Sequence, residues 1–80
     1  MPMKELVDHI AKALVTLPDQ VSVTVTESES ERSALYELRV APADLGRVIG
    51  KEGRTVNAIR KILNAAATRE NRRVVLDIRE

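Results

Sequence analysis

The chain contains no cysteine, no tryptophan and no phenylalanine, and its one aromatic residue is Tyr36. The missing thiols exclude disulfides, thiolate metal sites and thiol nucleophiles together, and they fit a reducing compartment. The missing rings exclude a platform on which several flat ligands stack in succession. No apolar run approaches the roughly 20 residues of a membrane-spanning helix. No basic stretch leading into an apolar one opens the chain, so a cytoplasmic protein with no membrane association is expected. Histidine is as scarce: His9 stands alone, on the polar side of an N-terminal helical pattern, and is read as neither ligand nor catalyst. No Ser/His/Asp set, carboxylate pair or metal-ligand spacing has support beyond composition, which argues against an enzyme and against any cofactor.

A net charge of only +1 gives no overall pull toward polyanions, but the charge is unevenly spread. From Asp19 to Glu37 there are five acids and one base; from Gly46 to Arg73 there are eight bases and two acids. The second half is therefore a cationic field facing an acidic first half, a layout that steers anionic ligands despite a small net charge. At 80 residues the chain is expected to form one domain over residues 1–80, with a modest core.

Hydrophobic periodicity orders the rest. Met3, Leu6, Val7, Ile10, Leu14 and Leu17 fall on one helical face, with Pro2 suited to the first turn and Pro18 ending the pattern. Val21–Thr26 alternates strictly, as a half-buried strand does, and Ala34–Val40 alternates again with Ala34, Tyr36, Leu38 and Val40 on one face. Between them, Glu27–Ser33 is a polar hairpin connection. Ala41-Pro42 breaks the second strand and starts a short helix from Pro42 to about Ile49. Val56, Ile59, Ile62, Leu63 and Ala66 form the stripe of a longer helix, Arg69–Arg73 a polar loop, and Val74, Leu76 and Ile78 one face of a last strand. The order is α-β-β-α-α-β. A short loop makes the first two strands antiparallel, while a two-helix crossover lets the last strand lie parallel to the second. The expected fold class is α+β, a mixed three-stranded sheet with three helices packed on one face.

The chain's three glycines are Gly46, Gly50 and Gly53. The last two bracket a Gly-x-x-Gly turn, Gly50-Lys51-Glu52-Gly53, set between an apolar Val48-Ile49 pair and the longer helix. Paired glycines let a backbone bend tightly and come close to another backbone. The helix start beyond them offers free N–H groups and the positive end of a dipole, which suits phosphate. Lys51 and Arg54 add charge, and Arg47, Arg69, Arg72 and Arg73 extend it. A nucleotide-binding P-loop is excluded: only three residues separate Gly46 from Gly50, and Lys51 is followed by Glu52 rather than Ser or Thr.

With this turn in its hydrophobic frame and this element order, the chain resembles the type II K-homology (KH) RNA-binding domain over its whole length. The likeness is closest to the small single-domain bacterial KH proteins of the KhpA family. Met3–Val7, Leu38–Pro42 and Arg73–Ile78 resemble that family's corresponding segments. The resemblance implies a non-catalytic protein that binds single-stranded RNA, or in some members DNA, over about four nucleotides. It implies that the turn clamps the sugar-phosphate backbone while bases lie over a narrow apolar groove. The site residues implied are Gly50, Lys51, Glu52, Gly53, Arg54, Arg47, Val48, Ile49, Thr55 and Val56, with Leu45, Ile59 and a sheet edge completing the groove. It further implies an RNA chaperone or post-transcriptional regulator, working as a homodimer or with a larger KH-containing protein. Glu52 runs against this pattern, since a carboxylate beside Lys51 repels phosphate. The rival reading is a protein-interaction or dimerisation module with vestigial RNA affinity, in which the helix around Ile59, Ile62 and Leu63 packs on a partner.

Overall fold

The computed structural model describes residues 3–80 and has the expected element order, α-β-β-α-α-β. Helix α1 runs Met3–Leu14, strand β1 Ser22–Ser28 and strand β2 Ser33–Arg39. A short helix α2, Leu45–Ile49, is followed by the long helix α3, Arg54–Arg69, and by strand β3, Arg73–Arg79. Single 3-10 turns at Pro18–Gln20, Pro42–Asp44 and Lys51–Gly53 make the tight connections. The expectation for Pro2 lies outside the described residues.

The sheet order is β1-β2-β3, with β1 antiparallel to β2 and β3 parallel to it. The hairpin is tighter than the polar run Glu27–Ser33 suggests: pairing persists to Ser28↔Ser33, so the connection shrinks to four residues, 29–32. Arg32 closes that turn with a positive φ of 50°. Its side chain donates to the carbonyls of Asn71 and Glu70, tying the hairpin to the loop before β3.

The alternation in β2 and β3 decides which face is covered. Ala34, Tyr36, Leu38 and Leu76 are buried beneath the helices, with Val74 and Ile78 partly covered beside them. Val7 and Ala11 of α1, Val48 of α2, and Val56, Ile59 and Leu63 of α3 close over them into one core. The opposite face carries Glu37, Asp77 and Arg79, where Arg79 Nε lies 2.7 Å from Asp77 Oδ2 and 3.5 Å from Glu37 Oε2. Burial pushes the Tyr36 hydroxyl above its ordinary pKa, with Glu27 adding to the effect.

Two details of the helical reading need correction. Leu17 lies beyond the end of α1 and is exposed, because the chain leaves the helix at Leu14 to reach the Pro18 turn. On α3 the buried stripe is Val56, Ile59, Leu63 and Ala67, whereas Ile62 is 51% exposed. Apolar residues border both flanks of this helix, and only its seat on the sheet selects which flank is covered.

Candidate nucleic-acid interface

Helix α2, the Gly50–Gly53 turn and the start of α3 form one continuous bend. Gly50 adopts φ 77° and ψ 173°, a region that essentially only glycine occupies. Gly53 adopts φ 76° and ψ 13°, the left-handed helical region, which also accepts asparagine at modest cost. Between them Glu52 is held at φ 57° and ψ 24°, so a non-glycine residue takes a strained conformation at the tip. The reason Gly50 has no side chain is visible in its surroundings. A Cβ there would sit 2.7 Å from Thr55 Cβ and 2.9 Å from Thr55 N, inside the first turn of α3. At Gly53 a Cβ would meet nothing nearer than Asn57 Nδ2 at 3.7 Å.

The turn uses some of its own donors. Gly50 N–H donates to Gly46 O at 2.9 Å, Gly53 N–H to Gly50 O at 3.2 Å, and Arg54 N–H to Lys51 O. Of the helix-start N–H groups expected to be free, those of Gly53 and Arg54 are thus engaged. These two are spent closing the bend, and the Lys51 and Glu52 amides at the tip take no part in its internal bonds.

The cations divide by how they are held. Lys51 is exposed and has no ion-pair partner among the described residues. Arg54 Nη2 stands 3.7 Å from Glu52 Oε2, with both side chains well exposed, so this pair contributes little to stability but competes for the guanidinium. Arg47 is exposed, its Nε 4.0 Å from Asp44 Oδ1. Arg72 leans toward Glu27 at 4.0 Å, and its Nη2 is buried without a hydrogen bond. Arg69 and Arg73 are exposed at the far end of α3.

The apolar members of the expected groove separate as well. Val48 and Val56 are buried in the core, as is Ile59, so they shape the site from beneath and offer no open surface. Ile49 is exposed at the turn, and Leu45 and Thr55 are partly covered.

Asp44 is a residue that reading the sequence alone misses. It precedes α2 and looks like an N-cap, yet it makes no capping hydrogen bond. Its carboxylate is buried, 1% exposed, and turns back toward the end of α1. Oδ1 accepts from Thr16 N–H at 3.0 Å and from the Thr16 hydroxyl at 2.8 Å, and Oδ2 accepts from Leu17 N–H at 3.1 Å. These bonds hold its pKa below the ordinary 3.8, led by the Thr16 amide, against a burial effect in the other direction. One carboxylate thus pins the α1–β1 connection to the helix that presents the turn. A buried acid whose donors lie 27 and 28 positions away has no local signature. Among the described residues no helix is long and apolar enough to cross a membrane, and no group of His, Cys, Asp or Glu is placed to hold a metal ion.

Comparison with known proteins finds relatives of this chain. The KhpA/KhpB KH-domain model matches residues 4–78. The RNA-binding protein KhpA of Clostridium acetobutylicum is 53% identical over 76 residues, covering 95% of this chain and 99% of that one. The RNA-binding protein KhpA of Halalkalibacterium halodurans is 54% identical over 76 residues, covering 95% and 97%. That of Aquifex aeolicus is 49% identical over 78 residues, covering 98% and 96%. Among solved structures, Aquifex aeolicus Era bound to GDP and AlF4− matches with a TM-score of 0.61 at 21% identity. That match covers 98% of this chain but 31% of the Era chain, and it shows the fold alone.

Proposed function

The chain belongs to the KhpA/KhpB KH-domain family, and from that membership we propose that it is a non-catalytic, cytoplasmic RNA-binding protein acting as a single KH domain. It grips short single-stranded RNA by the sugar-phosphate backbone at Gly50–Gly53, with single-stranded DNA as an alternative ligand. The observation that carries this reading is the bend itself. Gly50 sits in a glycine-only conformation against Thr55, and the tip amides of Lys51 and Glu52 stay outside the turn's own hydrogen bonds. Lys51 supplies an unpaired charge beside those amides, and Arg47 and Arg54 stand on either side. Backbone amides and cations position phosphate without reading sequence, so the grip has low selectivity of its own. Such a grip suits an RNA chaperone or post-transcriptional regulator that meets many transcripts.

The test is a titration of a short single-stranded RNA against wild type and Lys51→Asp at several salt concentrations. The log–log salt slope should be about −0.7 per phosphate neutralised, and it should flatten in the variant together with a loss of affinity. Identical curves for the two proteins would remove the clamp from the mechanism.

A second reading concerns assembly, and one observation favours it. With Ile59 and Leu63 committed to the core, α3 turns Ala58, Ile62 and Ala65 outward as an exposed apolar row at helical spacing. That row suits packing on the same helix of a second copy or on a larger KH-containing partner. It lies on a different flank of α3 from the β3 side, so pairing there is compatible with RNA binding and doubles the grip by avidity.

A further inference from the structure

The sequence reads Arg72 as one more cation on a track leading away from the turn. The fold gives it different surroundings. A hollow of about 360 Å³ opens between the first turn of α1, the β1–β2 hairpin and the end of α3, and Arg72 lines it. This hollow lies at the opposite end of α3 from Gly50–Gly53. Ala67 in its wall is about 20 Å along the helix axis from Arg54 at the turn.

The walls are aliphatic, from Val25, Ala34, Ala67 and Val74. The polar groups around them are balanced. Arg72, Lys4 and the Tyr36 hydroxyl are donors, while Glu27 and Glu70 are acceptors when ionised. Two cations thus face two carboxylates. The innermost groups are unengaged. Arg72 Nη2 is closed off from solvent and donates no hydrogen bond. Glu27 Oε1, toward which it leans, stands 4.0 Å away, beyond hydrogen-bond reach. Tyr36 is buried, and its hydroxyl enters no hydrogen bond among the described residues. Its pKa, raised first by burial, also responds to Glu27, Arg72 and Glu70, so these four groups share one small volume.

A buried donor without a partner is rare in a folded protein, and a bound group accounts for it. The charges narrow what that group is. A simple anion would suit Arg72 but meet two carboxylates, and a simple cation would suit those but meet Arg72 and Lys4. A neutral hydrocarbon would leave Arg72 Nη2 as it is. A molecule with a carboxylate and an ammonium side by side fits the gap between Nη2 and Glu27 Oε1, and engages both. Glu27 is 53% exposed, so it turns aside to uncover Nη2 without disturbing the core. The volume lies within the range of small-molecule sites, and the aliphatic walls favour an aliphatic side chain that leaves water to reach them. We propose that this hollow binds a free α-amino acid with an aliphatic side chain. Arg72 and Tyr36 hold its carboxylate, Glu27 and Glu70 its ammonium, and Val25, Ala34, Ala67 and Val74 its side chain. The site stands apart from the RNA-binding surface, and neither reading depends on the other.

The test titrates the full chain to about 10 mM with L-leucine and with three fragments of it. Isocaproate lacks the ammonium, isoamylamine lacks the carboxylate, and glycine lacks the side chain. Amide shifts in nitrogen-15 spectra locate the binding, and tyrosine emission reports it in wild type, where Tyr36 is the only ring. Wild type should bind L-leucine at least about tenfold more tightly than any fragment, since each fragment loses a charge-assisted contact or the buried side chain. Arg72→Gln should weaken L-leucine about ten- to a hundredfold, and Tyr36→Phe, which removes only the hydroxyl, about two- to tenfold. Urea midpoints confirm that each variant folds, and Tyr36→Phe carries the test if Arg72→Gln does not. Absence of L-leucine shifts in wild type, or shifts centred away from Tyr36 and Arg72, would overturn the site. Isocaproate or isoamylamine binding as tightly as L-leucine would overturn the two-charge assignment. Unchanged L-leucine affinity in a folded variant would remove that residue's contact, and unchanged affinity in both would overturn the proposal.

Discussion

The two turn glycines differ in kind, and alanine substitutions at each should show it. At Gly53, alanine must hold a left-handed conformation, at a cost of about 1–2 kcal/mol. It meets no atom closer than 3.7 Å, so nothing further is added. At Gly50 the observed φ 77°, ψ 173° is a glycine-only region, and holding a residue there costs about 1–3 kcal/mol. The new Cβ also clashes with Thr55 Oγ1 and falls 2.7 Å from Thr55 Cβ and 2.9 Å from Thr55 N. The hydroxyl can rotate away, but Cβ and N move only if the first turn of α3 moves, and such overpacking adds about 1–3 kcal/mol. Gly50→Ala is therefore expected to lose about 2–6 kcal/mol in all. A domain of this size holds roughly 4–12 kcal/mol.

Urea unfolding monitored by circular dichroism reads both variants. Gly53→Ala should remain fully folded in buffer, with a midpoint lowered by about 1 M at a slope of about 1–2 kcal/mol/M. Gly50→Ala should shift further or lose its native baseline. The double change Gly50→Ala with Thr55→Ala should recover little, because Thr55→Ala removes Oγ1 but leaves Cβ and N in place. Equal midpoints for the two single variants, or full recovery in the double variant, would refute the claim that the α3 backbone forces glycine at position 50.

Glu52→Lys should tighten single-stranded RNA binding several-fold at low salt and steepen the salt slope, since it removes a carboxylate that both repels phosphate and engages Arg54 at 3.7 Å; fluorescence anisotropy reads both effects. Glu52→Gly should instead raise stability by about 1 kcal/mol, because φ 57° costs glycine nothing, and urea melts would show it. Asp44 has a folded pKa below its unfolded value, so its stabilisation is present above about pH 4 and is lost as pH falls through the depressed value. Asp44→Asn should lower stability at neutral pH and flatten the acid limb of the stability–pH curve, an effect that wild-type-like acid unfolding would contradict. Ile62→Asp should leave the fold intact and shift sedimentation toward the monomer; an unchanged sedimentation profile with intact folding would rule out the outer row of α3 as the contact.

Much of the molecule was legible in one dimension. Strict alternation over Ala34–Val40 marks the central strand, and the two-helix crossover allows β3 to run parallel to it. The glycine spacing marks the turn, because a bend that tight requires residues without Cβ. These are properties of local backbone geometry and of a period along the chain, and sequence carries both. Periodicity could not say that Ile62 faces out while Ala67 faces in, since apolar residues border both flanks of α3 and packing on the sheet makes the choice. The allotment of the turn's amides was also hidden, because it depends on which carbonyls the bend brings within reach. Asp44 meeting Thr16 and Leu17, and Arg60 meeting Leu76 O, join residues far apart in the chain through single polar contacts. Such contacts follow no period and come into being only when the helices are laid on the sheet. The sequence by itself thus determined the elements, their order and the glycine turn. The tertiary structure alone decided which charges stay free beside the turn and which side chains, Asp44 and Arg60, tie distant segments together.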